Sequence, residues 1–259
     1  MLRTTALNMK SKLLTGVLIL LIIATIFFAI IEDPNNKITR SFILPLFTLL
    51  YFIKNKSKFS YFFFFLFFYS IAESLTWMEN YNYIEIGSQN LSYYNFYIGN
   101  LSSIAAYVFL ILEILKSYDL KVVIDKFPVH IMILFVLDVY TIYLVSETAF
   151  KGGVFLTNFD KLIEVLYNVV VMFLLTVSLM GYINRDSKKA MNLLLGCLCV
   201  VFSEILQVAT FYVSKDNMLL EVSYVLLLIF AFTFFYVQSN MSYSRQSDYE
   251  SVPFLKNIE

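Results

Sequence analysis

The sequence predicts an all-α fold, a polytopic transmembrane helical bundle of about eight spans with both termini cytoplasmic. Three observations carry that expectation. Apolar residues make up 59% of the chain and mean hydropathy is +0.74, whereas roughly half of a soluble domain is apolar. The excess gathers into repeated blocks close to the ~20 residues that cross a bilayer core. Lys and Arg concentrate in alternate connections, as the positive-inside rule requires.

The blocks are 13–31, 41–53, 59–78, 96–115, 128–145, 162–183, 191–213 and 219–238. The first follows Arg3, Lys10 and Lys12 but is long for a signal-peptide core and lacks a small-x-small cleavage site, so a retained helix is expected. The second has thirteen clearly apolar residues with Pro45 inside. It spans only if its charged flanks snorkel or the helix runs on past Ile38 and Lys54. With eight spans, the inner segments hold fourteen Lys and Arg and the outer loops five. Without the second span the split is thirteen to six, and the C-terminus stays inside either way. Residues 1–238 therefore read as one transmembrane domain of the cell membrane, and 239–259 as a polar cytoplasmic tail expected to be mobile.

Composition also excludes several classes of function. Net charge is zero and no basic run with interleaved aromatics suggests nucleic acid. Cys197 and Cys199 stand two apart in one apolar helix and point to different faces, so they read as buried free thiols. A single histidine, His130, cannot supply a multi-His metal site and reads as an interfacial side chain. No nucleophile elbow, zinc-protease motif or phosphate cradle is present, and no metal or cofactor is called for. The aromatic run at 61–69 reads as compositional bias and is given no function.

What points to chemistry is acidic. Glu73 lies late in the third span and Glu204 just past the middle of the seventh. Both spans run from inside to outside under this topology, so the two depths roughly match. A carboxyl at membrane depth is costly and normally faces a partner, a cavity or a reaction. No Lys or Arg stands deep enough to neutralise either as an obvious ion pair.

Polar neighbours extend each acid into a stripe at helical spacing. Ser70, Ser74 and Trp77 share a face with Glu73, and Ser203, Gln207 and Thr210 lie with Glu204. Asn100, Ser103 and Tyr107 line the fourth span, and Asp138 with Thr141 the fifth. Glu164 with Asn168 opens the sixth, and Glu221 with Tyr224 the eighth. The expectation is a bundle around a polar, acidic cavity open to the outside. One protonated acid beside one carboxylate is the usual equipment for acid–base hydrolysis, and equally for a proton-coupled transporter.

The span order with these acids resembles the YhhN-like lysoplasmalogenase family. The resemblance rests on Ala72-Glu73 with Leu75, and on Ser203-Glu204 with Leu206 and Phe211. Leu166-Tyr167 through Met180, Gly99 with Tyr107, Arg40 with Pro45, and Ser223-Tyr224 are similar to further family positions. Glutamates stand where the family has aspartates, and Tyr107 stands near the place of its histidine.

The resemblance implies an eight-span membrane hydrolase that cleaves the vinyl ether of a lysophospholipid. It implies Glu73 and Glu204 as the catalytic acid and base, with Asn100, Tyr107, Asp138 and Gln207 as substrate-orienting groups. The expected partner is a lipid substrate or apolar ligand within the membrane. A catalytically silent relative that binds such a ligand is the alternative that the two lengthened acids favour. A proton-coupled transporter is the other.

Overall fold

The computed structural model describes residues 2–31, 35–54, 59–80, 89–152, 157–212, 218–239 and 241. These residues are helical almost throughout, and no strand occurs among them. The helices are α1 (Leu2–Ile30), α2 (Asn35–Lys54), α3 (Tyr61–Asn80), α4 (Gln89–Leu115), α5 (Leu120–Lys126), α6 (Pro128–Lys151), α7 (Asn158–Arg185), α8 (Lys188–Tyr212) and α9 (Met218–Ser239). Five are long and apolar enough to cross a membrane, namely α4, α6, α7, α8 and α9. Shorter apolar stretches, Lys12–Phe28 and Tyr61–Leu75, lie in α1 and α3. The protein is thus an all-helical one with the makings of a multi-pass membrane protein. The cytoplasmic tail of the sequence reading, from 242 onward, lies outside the described residues.

α2 is longer than its apolar core suggests. The helix starts at Asn35, ahead of the 41–53 block, and its 20 residues reach about 30 Å at 1.5 Å per residue. Pro45 is accommodated within it. α5 is a short helix in a stretch that the apolar pattern leaves as a connection. Asp119 caps it, accepting from the Lys121 backbone N–H at 2.9 Å, and Phe127 and Pro128 break the chain into α6.

Side-chain pairings fix the relative directions of the long helices. α3 and α4 are antiparallel, with Phe64 and Phe68 on Phe109 at centroid distances of 5.2 and 5.5 Å, and Tyr69 on Tyr107. α6 and α7 are antiparallel through Asp138–Thr176 and Ser146–Asn168. α8 and α9 are antiparallel through Gly196–Phe235 and Asn192–Met241. α4 and α7 run parallel, joined by Tyr107–Tyr167 and by the Tyr118 hydroxyl donating to Val177 O at 2.8 Å. α2 and α9 are also parallel: Arg40 lies on Tyr224, Phe47 on Phe232 and Lys54 on Tyr236.

The core lies where α3, α4, α7, α8 and α9 meet. Phe65, Leu66, Tyr107, Leu110, Leu174, Val200 and Phe235 are there, all sealed from the surface. α6 sits at the margin. Its buried described residues are Ser146 and Ala149, while Val129 through Leu144 show a broad apolar face. Water would disfavour so large an exposed apolar surface, and lipid would not.

Candidate functional site

Glu73 and Glu204 both lie inside this core region, 9% and 7% exposed. α3 presents Glu73 one turn after Tyr69, so the two side chains share a face. α8 brings Glu204 to the same layer from the other side. Glu204 Oε1 accepts from the Tyr107 hydroxyl on α4 and from the Tyr69 hydroxyl on α3 at 3.4 Å. Tyr167 on α7 directs its hydroxyl to the same carboxyl. The three rings pack around it, Tyr107 tilted against Tyr69 at 5.6 Å and edge-on to Tyr167 at 5.9 Å between centroids.

Glu73 has a different environment. Its Oε2 lies 3.7 Å from Arg40 Nε on α2, and its Oε1 accepts from the Tyr224 hydroxyl on α9 at 3.4 Å. The Arg40 guanidinium also covers the Tyr224 ring, 4.8 Å from its centroid. The expectation that neither acid has a cationic partner is therefore corrected for Glu73. Arg40 looked like the flank of a short span, but the extra turns at the start of α2 carry it into the bundle. Glu204 is surrounded by hydroxyls alone among the described polar groups that reach it. Tyr69, which donates to Glu204, stands one turn from Glu73 on α3 and so links the two acids.

The other polar residues of the stripes behave differently. Ser74 donates to Ser70 O, Ser203 to Val200 O and Thr210 to Leu206 O, all within their own helices. Ser70 donates to Leu66 O and pairs with Thr48 on α2. Hydroxyls in an apolar helix turn to the carbonyl a turn earlier because no water competes for them.

The four orienting groups of the sequence reading fare unequally. Tyr107 is at the centre of the cluster. Asn100 donates to Phe96 O at 2.8 Å on its own helix. Asp138 accepts from Thr176 at 2.6 Å, in the α6–α7 seam. Gln207 is half-buried and makes no side-chain hydrogen bond among the described residues. The Trp77 and Glu221 side chains lie outside those described. Asn168 bridges α7 to α6, donating to Ser146 at 3.0 Å and to Glu164 at 3.4 Å.

Among the described residues, each glutamate borders a small cavity of its own. Arg40, Glu73, Leu44 and Val225 line one, and Glu204, Tyr167, Asn168 and Thr141 line the other. Each has a volume of about 20 Å³, room for roughly one water molecule.

Three functional candidates escape a reading of the sequence: Arg40 as a partner of Glu73, and Tyr69 and Tyr167 as partners of Glu204. For Tyr69 a signal existed in its spacing of four from Glu73, hidden within an aromatic run. The two cysteines are free thiols, Cys197 buried and Cys199 half-buried, as their spacing suggests. No family model, curated protein or solved structure matches this chain.

Proposed function

We propose that this is an eight-span integral protein of the cell membrane, with both termini cytoplasmic, that hydrolyses the vinyl ether of a lysophospholipid. What carries the reading is the pairing, in one buried cluster, of two carboxyls in unlike charge environments. The motif resemblance supplies the substrate class. The antiparallel pairs α3/α4, α6/α7 and α8/α9, with α2 parallel to α9, support the eight-span topology.

In this proposal Glu204 is the acid and Glu73 the base. Arg40 balances a negative charge on Glu73, whereas the described groups that hydrogen-bond to Glu204 are neutral hydroxyls. Glu204 protonates the alkenyl carbon of the vinyl ether, leaving an oxocarbenium ion. Glu73 takes a proton from water as the water oxygen bonds to the cationic carbon. The hemiacetal then breaks its bond to the glycerol oxygen as its hydroxyl proton returns to Glu204 and Glu73 protonates the leaving oxygen, giving a fatty aldehyde and a water-soluble glycerophosphodiester alcohol and restoring both acids.

The test is release of fatty aldehyde from a lysoplasmalogen by the purified protein. Release by the wild type, lost in both Glu73→Gln and Glu204→Gln, supports the mechanism. Turnover that survives either change removes that residue from it.

One observation favours a second reading, a silent lipid-binding protein of the same fold. Among the described residues, each glutamate-lined cavity holds about one water molecule, so a lipid bound on the bundle would not meet the acids there. A folded wild type that binds lipid without releasing aldehyde would establish that alternative.

A further inference from the structure

Glu204 is buried, yet a row of polar side chains leads from its cavity to one end of the bundle. The row lies on α7, where Asp160, Glu164 and Asn168 recur every four residues and so share one helix face. All three are buried, at 4%, 8% and 7% exposure. Ionisable groups so placed in an apolar helix need a structural duty or a use.

Asp160 has a structural duty. Its carboxyl accepts from the Thr157 backbone N–H at 2.8 Å and from the Tyr97 hydroxyl of α4, completing the capping box that starts α7. Glu164 is held less well. Its partner among the described residues is the Asn168 amide at 3.4 Å, outside the usual range of roughly 2.7–3.2 Å.

Asn168 also borders the cavity beside Glu204, so its amide stands between that cavity and the Glu164 carboxyl. The cavity has about 20 Å³ and four polar side chains on its wall, Thr141 of α6, Tyr167 and Asn168 of α7, and Glu204 of α8. A buried water needs roughly 10–15 Å³ and two to four polar partners, and this cavity meets both conditions. From Asp160 to Asn168 the row covers about 12 Å of helix axis. At its far end Lys151 of α6 and Lys161 of α7 are exposed, which marks where the bundle meets water.

We propose that Glu204 exchanges protons with the aqueous medium at this end of the bundle, with Glu164 as the relay and one water in the cavity as the link. A proton from bulk water first binds the Glu164 carboxylate. The carboxyl then turns past Asn168 and gives its proton to the cavity water, as that water gives one of its own to the Glu204 carboxylate. Glu164 is left as a carboxylate and the water is unchanged, so one proton moves and nothing is oxidised or reduced.

The eight-span topology places this end outside, so the outer pH sets the protonation of Glu204. The ionisable groups facing Glu204 are Tyr69 of α3, Tyr107 of α4 and Tyr167 of α7, with Glu73 beyond Tyr69 and paired with Arg40. Along the row, α4 contributes Tyr97 at Asp160, and α6 contributes Ser146 at Asn168. The proposal rests on Glu204 being the acid of the proposed function, but it does not need the hydrolysis.

The test is infrared spectroscopy of the full-length protein in nanodiscs, on the carboxylic C=O band that Glu204→Gln removes. Mixing into D2O shifts that band, and the rate of the shift is the rate of proton exchange. Glu164→Gln keeps an acceptor for Asn168 but carries no exchangeable acid proton, and should slow the shift by at least about tenfold. Glu164→Asp should restore most of the rate. Thr141→Val, which removes a partner of the cavity water, tests the same path in case Glu164→Gln fails to elute as a folded protein. Glu113→Gln, near the opposite end of α4, should leave the rate unchanged.

A shift as fast in Glu164→Gln and Thr141→Val as in the wild type would overturn the proposal. So would slowing by Glu113→Gln alone, slowing by Glu164→Gln that Glu164→Asp does not relieve, or a wild type with no such band at any pH where it stays folded. Slowed exchange in Glu164→Gln without aldehyde release by the wild type would sink the hydrolase reading alone. Aldehyde release with unaltered exchange in Glu164→Gln would sink this one alone.

Discussion

Replacing Arg40 by Met strips Glu73 of its cationic partner while keeping a side chain of similar reach. At 3.7 Å and an effective dielectric of ~20, the Coulomb attraction is about 4.5 kcal/mol. Solvent screens little of it, since the two side chains are 14% and 11% exposed. Breaking a buried pair from one side costs about 3–5 kcal/mol, because the remaining charge has lost its compensation. The low end applies here. The separation is long for a charged contact, Nε and Oε2 share no hydrogen bond, and Tyr224 continues to donate to Glu73.

A loss of about 3 kcal/mol corresponds to roughly 6–12 °C in apparent melting temperature for a chain of this size. The assay is thermal unfolding in detergent, followed by size-exclusion recovery. The decisive comparison is the cycle with Glu73→Gln. If stranded charge is the cost, the double variant should recover at least half of the loss. An Arg40→Met protein within about 2 °C of wild type would refute the reasoning. So would a double variant no more stable than Arg40→Met.

Three further outcomes are expected. A Cβ on Gly196 would lie 2.5 and 2.7 Å from ring carbons of the sealed Phe235. Gly196→Ala should therefore cost about 1–3 kcal/mol in the same melting assay, while Gly99→Ala, with open space at its Cβ, should cost nothing. Tyr107→Phe removes a hydroxyl from Glu204, and should lower stability by about 0.5–1.5 kcal/mol and reduce any aldehyde release. Asp138→Asn keeps an acceptor for Thr176, so stability should change by less than about 1 kcal/mol and turnover should not change.

The helices were legible wherever apolar length alone decides them. α4, α6, α7, α8 and α9 all match blocks seen in the sequence. α2 was only partly legible, because Lys37 and Arg40 look like flanks when the partner of Arg40 is unknown. That partner stands 33 residues later on another helix, and no local pattern announces it. α5 was missed because seven residues show too little period, although Asp119 and Pro128 bracket it.

The site was half legible. Charge in an apolar span singled out Glu73 and Glu204 on energetic grounds. The groups around them were harder to choose, since Ser, Thr and Asn stand out as polar while Tyr blends into an aromatic chain. Burial reverses that ranking: short hydroxyls find a carbonyl one turn back, whereas Tyr69, Tyr107 and Tyr224 reach across to the acids.

The position of Arg40 on α2 and Glu73 on α3 bears on how the chain enters a bilayer. These helices are consecutive and form the hairpin that follows α1. An isolated charge at mid-membrane costs about 2.5–3.5 kcal/mol on insertion, but the two can meet as soon as their hairpin leaves the ribosome. The hairpin can then partition as a nearly neutral unit before α9 supplies Tyr224. Glu204 arrives six helices after α2, when Tyr69, Tyr107 and Tyr167 have all been made. Each acid thus has partners already synthesised when its own helix is inserted, so neither need wait in lipid for a later segment.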